Sequence, residues 1–424
     1  MTRKPRKPVV KRDRRADTRL AEEAPMRLRR LKIGGMRTLA DVTLDLGGLT
    51  VLIGDNGSGK SSILEACEIL RRAASANDFL TQFNNCHGGV SEIRRFGQAD
   101  VTIQVEVDWQ YQSVVYLLGL GDVGIERELL KVGGAVHLDR QRQRAFVFPD
   151  QEPRASDSGR TLLLAQAERG DDGIIRRLVD LLASCEIHLP FDVLPRWVAR
   201  EKQRPAPMRE SRTIAPAARL QRLGDNLANA YASLKERPRT HWEETMEWVR
   251  LGLGHDVENV STAAQPGAGA IALALRYKSG QEVPAYALSD GMLAYLAFVA
   301  VFRLNGGNGL LAFDEPESHL HPSLLARVVD FMESAAENRP VLVATQSDAL
   351  VDHLQDPAGS VVLCDLDERG ATRLVRPDRP ALTRWLERYR GLGDIRAAGH
   401  QRSVMQQPLL PKLRLSRTAH RRRG

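Results

Sequence analysis

The 424-residue chain has few cysteines and few aromatic residues. No pair of its cysteines has CxxC spacing, so the sequence predicts neither a zinc site nor a disulfide framework and fits a reducing cytosol. The four are Cys67, Cys86, Cys185 and Cys364. Aromatic residues make up only 5% of the chain, but 42% is hydrophobic, which is enough for a sizeable core and argues against wholesale disorder.

Long hydrophobic runs are also missing. The longest apolar stretch, residues 292–302, is too short to cross a bilayer. The basic N-terminus lacks the apolar segment of a signal peptide. We therefore expect a soluble, cytoplasmic protein without a membrane partner.

Acidic residues are absent from residues 411–424, and the positive charge of the chain collects at both of its ends. The net charge is +8, yet residues 1–30 carry +8 and residues 411–424 carry +6, which leaves −6 for the rest. We expect residues 1–25 to be a disordered basic tail and residues 400–424 a second basic tail. Such tails can contact DNA phosphates or simply keep the protein soluble, and the composition leaves both interpretations open.

Between the tails, short apolar runs alternate with helical patterns. The runs that include residues 49–53, 310–314 and 341–345 are typical of buried parallel strands, so the chain is predicted to be α/β. Residues 101–109 alternate between apolar and polar residues like a half-buried strand. Residues 78–88 are predicted to be loop-rich. The predicted domains are an N-terminal lobe (26–118), a mixed, mainly helical insertion (119–250) and a C-terminal lobe (251–399).

A glycine-rich loop follows the first buried run. It matches G-x-x-x-x-G-K-[ST], whose glycines let successive N–H groups face phosphate oxygens. Its lysine is predicted to bind the β and γ phosphates and its serine hydroxyl to ligate Mg²⁺. The alternative is a glycine-rich turn that only caps a helix. The predicted cofactor-binding residues of this segment are Gly54, Asp55, Asn56, Gly57, Ser58, Gly59, Lys60, Ser61 and Ser62.

Polar residues follow two later buried runs. Asp314 is expected at the tip of a strand, where it can hold Mg²⁺ together with Ser61. The next residue, Glu315, is placed to activate a water molecule, and Gln346 to sense the γ-phosphate. The alternatives are a solvated Asp-Glu turn and a polar strand exit that caps the next helix.

The stretch "ALSDGMLAYLAF" places Ser289 and Gly291 at the start of an apolar helix. Serine and aspartate are common helix N-caps. A glycine-containing helix start also binds phosphate well, because its free N–H groups and its dipole point at the anion.

Taken in order, the phosphate loop, "LSDG", "FDEPE" and "TQS" resemble an ABC-type ATPase head of the RecF/SMC/OLD-like branch, over about residues 26–399. The resemblance implies a P-loop NTPase with a split head: an antiparallel β lobe, a parallel sheet core and a mainly helical insertion. It implies ATP and Mg²⁺ as cofactors and catalytic roles for Lys60, Glu315 and Gln346, the last in place of the family's switch histidine. It also implies that Arg37 lies near the nucleotide.

The same resemblance implies a homodimer with ATP sandwiched at the interface. Ser289 and Gly291 would then contact the partner's γ-phosphate, and residues 319–322 would cross the interface. Asp290 stands where transporters usually have glycine, which argues against a transporter. The implied roles are DNA repair or maintenance, or phage defence, with a separately encoded effector and DNA as possible partners. Gln82 is a weak candidate for the residue that couples Mg²⁺ to the insertion.

Two alternatives remain open. Asp365 and Asp367 follow a strand, as in an OLD-like nuclease, but turn chemistry favours a hairpin turn at "DERG" between two strands, and fewer than sixty residues follow. The other alternative is a nucleotide-gated binding module that hydrolyses little ATP.

Overall fold

A computed structural model describes residues 25–405, with gaps at 143, 149–153, 156–158, 171–172, 196, 199–206, 266–268 and 305. The predicted tails therefore lie largely outside the described residues. Residues 400–405 are described, and Val404 and Met405 are buried there. Within the described residues, no helix is both long enough and apolar enough to cross a membrane.

An antiparallel sheet of eight strands forms the first lobe, in the order β2-β1-β4-β5-β6-β7-β8-β9. Its apolar residues alternate along the strands and cover the helix that follows the phosphate loop. The predicted lobe boundary at 118/119 lies inside β5, so the sheet continues into the predicted insertion. The strands are β1 (Arg27–Met36), β2 (Leu39–Asp45), β4 (Val101–Trp109), β5 (Gln112–Gly121), β6 (Gly124–Val132), β7 (Ala135–Gln141), β8 (Arg144–Val147) and β9 (Arg154–Ala155).

The core sheet has the order β10-β15-β16-β3-β17-β18, and its first five strands are parallel. The edge strand β10 belongs to the part of the mixed insertion that was predicted to be mainly helical, and the sequence indicated no strand at residues 186–188. It has only three residues, too few for a periodic pattern to show, and its pairing with β15 defines it. The strands are β3 (Leu49–Ile53), β10 (Glu186–His188), β15 (Leu311–Asp314), β16 (Val341–Thr345), β17 (Val361–Leu366) and β18 (Thr372–Val375).

A third, four-stranded sheet packs with helices around a second apolar core. Its strands are β11 (Arg212–Thr213), β12 (Val257–Gln265), β13 (Ala270–Tyr277) and β14 (Glu282–Pro284). The described helices are α1 (Lys60–Ala73), α2 (Phe79–His87), α3 (Val90–Ile93), α4 (Leu162–Arg169), α5 (Gly173–Ala183), α6 (Leu227–Lys235), α7 (Arg239–Leu253), α8 (Asp290–Leu304), α9 (Pro322–Ala336), α10 (Asp348–Asp352), α11 (Pro357–Ser360), α12 (Arg379–Leu386) and α13 (Leu392–Ala397).

The prediction that residues 78–88 form loops was wrong. The Asp78 side chain accepts a hydrogen bond from the Thr81 backbone and caps α2, and Phe79 and Phe83 on that helix are buried in the first core. The helix is short and, apart from Leu80 and Cys86, its remaining residues are polar, so tertiary burial of two aromatic rings decides its conformation. The expectation of an α/β split head is confirmed, with an antiparallel lobe beside a parallel core sheet.

A buried carboxylate ties the antiparallel sheet to α4. Both N–H groups at the start of that helix, from Leu162 and Leu163, donate to Glu128 at 2.7 Å. The Tyr116 hydroxyl donates to it at 3.0 Å, and the Arg140 guanidinium lies 3.9 Å away. Burial raises the pKa of Glu128, and the two backbone donors and Arg140 act against this rise. This contact fixes the first helix of the insertion to the β lobe.

We expect Glu128→Ala to lower the free energy of unfolding by about 3–5 kcal/mol, because Arg140 loses this buried carboxylate and the helix N–H groups lose their acceptor. Urea unfolding at pH 7 measures the change. The control is Glu126→Ala on the same strand. The ion-pair partner of Glu126 is Arg142, whose side chain is 77% exposed, so we expect this variant to lower the free energy of unfolding by less than about 1 kcal/mol. Equal losses in the two variants would contradict the structural role of Glu128.

Candidate nucleotide-binding site

The phosphate loop, residues 54–61, connects the fully buried strand β3 to α1. Its first glycine packs against the core sheet, since a Cβ on Gly54 would lie 2.1 Å from the Cys364 carbonyl oxygen. Gly59 has a φ of +99°, and a Cβ there would lie 2.4 Å from Thr372 Oγ1. The close backbone of Cys364 therefore requires glycine at position 54, and the positive φ together with the close Thr372 side chain requires it at position 59.

The Lys60 ammonium turns back over this loop. It donates to the carbonyl oxygens of Gly54 at 2.7 Å and Asp55 at 2.8 Å, and it lies 3.4 Å from Ser58 Oγ. Burial lowers the pKa of Lys60, while the neighbouring acidic groups, Asp314 and Glu315 among them, oppose this shift. A partly desolvated cation at the start of a helix is suited to hold phosphate oxygens, whose charge would replace the weaker carbonyl contacts.

Ser61 and Asp314 meet although 253 residues separate them, and the Ser61 hydroxyl donates to Asp314 Oδ1 at 3.3 Å. Asp314 ends β15, at the same sheet edge where β3 leads into the phosphate loop. Burial raises the pKa of Asp314, and the hydrogen bond from Ser61 lowers it. A hydroxyl and a carboxylate beside a phosphate site are the oxygen ligands that Mg²⁺ takes in nucleotide enzymes, so these residues fit that ion.

Glu315 and Gln346 form a second pair at this edge. The Gln346 amide donates to Glu315 Oε1 at 2.5 Å. Glu315 has a φ of +44°, and its backbone N–H donates to the Ala344 carbonyl at 2.7 Å. This uncommon backbone conformation turns the chain at the end of the strand. The carboxylate is thus oriented by an amide from the neighbouring strand exit.

Glu317 is a site residue that sequence reasoning missed. Its carboxylate accepts hydrogen bonds from the Thr345 hydroxyl at 2.5 Å and from the Gln346 backbone N–H at 3.4 Å. Burial raises its pKa. Glu317 therefore holds together the two strand exits that carry Glu315 and Gln346. Its only signal in the sequence was its place in "DEPE".

The remaining predicted residues of the loop differ in exposure. Asp55, Asn56 and Gly57 are exposed, whereas Ser58 and Ser62 are buried. Arg37 lies in the turn between β1 and β2 and forms an ion pair with Glu65 on α1, one turn beyond Ser61. The structure therefore places Arg37 beside the helix of the phosphate loop.

Thr372 was also missed. Its hydroxyl donates to the Ser58 carbonyl at 2.9 Å and lies 2.9 Å from the hydroxyl of Thr38. One threonine from β18 and one from the turn before β2 thus support the loop from both lobes. A lone threonine carries no motif, so the sequence offered no sign of this role.

Ser289 and Gly291, with Asp290 between them, form the signature segment, residues 289–291. Ser289 is exposed, and its hydroxyl oxygen accepts a 3.3 Å hydrogen bond from the Met292 N–H, so it does cap α8. A Cβ on Gly291 would lie 3.0 Å from the His319 carbonyl oxygen, which packs this segment against residues 319–322. Among the described residues, no hydrogen bond or ion pair joins the signature segment to the phosphate loop of the same chain.

The Asp365 and Asp367 pair lies on the β17–β18 hairpin. The Asp367 carboxylate accepts hydrogen bonds from the N–H groups of Arg369 and Ala371, both at 2.8 Å, and so serves its own turn. No group of three or more histidine, cysteine or acidic side chains suited to a metal occurs in the part of the chain that the structure describes.

Gln82, the candidate for coupling Mg²⁺ to the insertion, lies on α2, and its side-chain oxygen is 3.5 Å from Arg72 at the far end of α1.

Residues 49–352 match the family model described as "AAA domain, putative AbiEii toxin, Type IV TA system". The chain belongs to this family. The matched range contains the phosphate loop, Asp314, Glu315, Gln346 and the signature segment. No curated protein matches the chain.

The solved structures that the chain resembles include heads of SMC proteins. One is an SMC head bound to the C-terminal winged-helix domain of ScpA, with a TM-score of 0.51 and 14% identity, over 84% of this chain and 99% of the other. Another is the SMC head domain from Thermotoga maritima, with a TM-score of 0.45 and 13% identity, over 83% of this chain and 99% of the other. The first likeness shows the fold alone. The chain therefore has the fold of an SMC head and belongs to the AAA family named above.

We expect Asp314→Asn to stabilise the nucleotide-free chain at pH 7.5 but to weaken Mg²⁺-dependent ATP binding at least about tenfold. Because burial raises the pKa of Asp314, its ionised form costs folding free energy above that pKa. The cost disappears as the pH falls towards the unfolded value of about 3.9. Thermal unfolding between pH 5 and 8, with and without Mg²⁺ and ATP, measures both effects.

The control for this prediction is Asp330→Asn, which alters an exposed carboxylate on α9. We expect this variant to keep the Mg²⁺-dependent rise in Tm. An unchanged Mg²⁺ response in Asp314→Asn would remove Asp314 from the metal site.

Proposed function

We propose that this protein is an ATPase that binds ATP and Mg²⁺ at the phosphate loop, dimerises around two ATP molecules and hydrolyses them. The observation that carries the proposal is the meeting of Ser61 and Asp314 at one sheet edge, beside Lys60 and beside the Glu315–Gln346 pair. These residues of one chain supply a site for the phosphates, a site for the metal ion and a base, and together they form one side of a shared ATP site.

Each residue has one task in this proposal. Lys60 and the loop N–H groups bind the β and γ phosphates, and Ser61 and Asp314 hold Mg²⁺. Bound Mg²⁺ neutralises charge on the phosphate oxygens. Glu315 accepts a proton from the attacking water, and the hydrogen bond from Gln346 fixes the carboxylate that does so. Arg37 supports the start of α1 through Glu65.

The dimer completes the site. Ser289 is exposed at the amino end of a 15-residue helix, and among the described residues it makes no hydrogen bond to the phosphate loop of its own chain. A helix N-terminus with small side chains suits the γ-phosphate of an ATP held by a second copy. Residues 319–322, which pack against Gly291, would then lie at the interface. Hydrolysis would remove the shared phosphate and open the dimer.

The family description names a toxin of a type IV toxin–antitoxin system, which favours a role in defence over one in DNA repair or maintenance. In this role the ATP-driven dimer signals to a separately encoded effector in the cytoplasm. The basic tails, most of whose residues lie outside the described part of the chain, are proposed to contact DNA. The turn geometry of Asp367 gives no support to the nuclease alternative.

We expect Glu315→Gln to lower the hydrolysis rate by roughly 10²–10⁴-fold while ATP binding is retained, because the variant keeps the shape but not the base. Multiple-turnover phosphate release measures the rate, and size-exclusion chromatography with ATP shows whether a trapped dimer accumulates. Wild-type release near zero would favour the nucleotide-gated binding module. Undiminished release in the variant would exclude Glu315 as the base.

We expect Ser289→Arg to leave ATP binding by Lys60 intact and to abolish ATP-driven dimerisation, because a long cationic side chain fills the helix start that must receive the partner's phosphate. Fluorescent-nucleotide titration and analytical ultracentrifugation measure the two effects. Ser334→Arg is the surface control, because Ser334 is exposed near the carboxyl end of α9, away from residues 319–322. If the Ser289 variant still dimerises with ATP, the segment is only a helix cap.

A further inference from the structure

The side chain of Arg209 lies beside the signature segment and donates hydrogen bonds to several of the residues around it. Only 4% of it is exposed. Its guanidinium donates to the carbonyl oxygens of Ala285 at 3.3 Å, Tyr286 at 3.3 Å and Leu288 at 2.6 Å, which are the residues that lead into α8. A further nitrogen donates to Asp290 Oδ1 at 2.5 Å.

We propose that Arg209 is a positioning residue for the signature segment, through which the insertion sets the orientation of the amino end of α8. Four acceptors from residues 285–290 converge on one rigid planar donor, which no other side chain can reproduce. The 3₁₀ turn Pro207–Arg209 belongs to the insertion, so the geometry of the signature segment depends on it. This inference rests on the proposed ATP-sandwich dimer.

The ion pair also accounts for aspartate at position 290. Its side chain is 39% exposed at the first residue of the helix, next to the position proposed for a partner's phosphate. An unpaired carboxylate there would repel that anion. Arg209 neutralises the charge from inside the protein and leaves the helix N–H groups and Ser289 outside to face the phosphate.

Arg209 also contacts the segment that follows the edge strand β10 of the core sheet, since its Nε donates to the Val193 carbonyl at 3.0 Å. At the end of β10, His188 stacks on Phe313 with ring centroids 5.4 Å apart. Phe191 makes an edge-to-face contact with Phe298 of α8 at 5.0 Å. Phe313 directly precedes the metal-site aspartate. One short stretch of the insertion therefore touches both the strand of the nucleotide site and the helix of the signature segment.

The test compares Arg209→Met with Arg237→Met. Arg237 binds the carbonyl oxygens of Arg303 and Leu304 at the other end of the same helix, so it is a matched control. Hydrogen–deuterium exchange of the nucleotide-free protein reports on the Met292 and Leu293 amides, which bond to Ser289. We expect Arg209→Met to speed this exchange about tenfold or more, the equivalent of one lost charge-assisted hydrogen bond, and Arg237→Met to leave it unchanged.

The second readout is ATP-driven dimerisation. We expect the dissociation constant of the dimer to rise at least about tenfold in Arg209→Met. The double variant Arg209→Met/Asp290→Asn should recover part of this loss because no unpaired carboxylate remains. Arg209→Lys keeps the charge but not the planar fork, so both its exchange rate and its dissociation constant should fall between those of wild type and Arg209→Met. If the methionine variant does not fold, the lysine variant takes its place in the test.

Unchanged exchange at residues 292–293 in both Arg209 variants would overturn the positioning role, whatever the dimerisation result. If the wild-type chain does not dimerise with ATP, the proposed function fails, while the exchange experiment still tests the local role of Arg209. A double variant that dimerises no better than Arg209→Met would refute the charge argument for Asp290.

Discussion

The parallel register of β3, β15 and β16 is the constraint on which the site depends. It aligns Ile53 with Thr345 and Asp314 with Ala344, so the strand exits reach one edge of the sheet. That alignment alone brings Ser61 within hydrogen-bond distance of Asp314 across 253 residues. The backbone packing of Gly54 against Cys364, from the next strand, fixes the start of the phosphate loop at the same edge. A shift in register would separate the phosphate loop from Asp314.

The insertion is part of this arrangement and not an appendage to it. Its residues add the edge strand β10, continue the antiparallel sheet beyond residue 118 and supply Arg209 to the signature segment. Buried polar contacts hold it at several points, including Glu128 at the start of α4 and Arg209 at the start of α8. Because unpaired buried charges are costly, these contacts restrict how the insertion can sit against both lobes. The proposed nucleotide site and the proposed dimer contact therefore share one support.

Elements with a strong local pattern were predicted well. The buried runs around residues 49–53, 310–314 and 341–345 are strands of one parallel sheet. Two short elements were not predicted. The strand β10 has only three residues, and α2 depends on two buried phenylalanines in a mostly polar stretch. Periodicity needs length to be visible, whereas a three-residue strand exists only through its neighbour. The roles assigned to Lys60, Glu315, Gln346 and the signature segment stay predictions.

By itself the sequence determined that a phosphate loop, an acidic strand end and a helix start with small residues occur in one chain, because each is a contiguous motif with a local backbone conformation. Only the tertiary structure decided which of them meet. It paired Ser61 with Asp314 and Glu315 with Gln346, and within the described residues it gave Ser289 a hydrogen bond to its own helix and none to the phosphate loop. It also recruited Glu317, Thr372 and Arg209, whose hydrogen bonds link segments far apart in the sequence. Such residues carry no local pattern, since their role is defined entirely by what the fold places beside them.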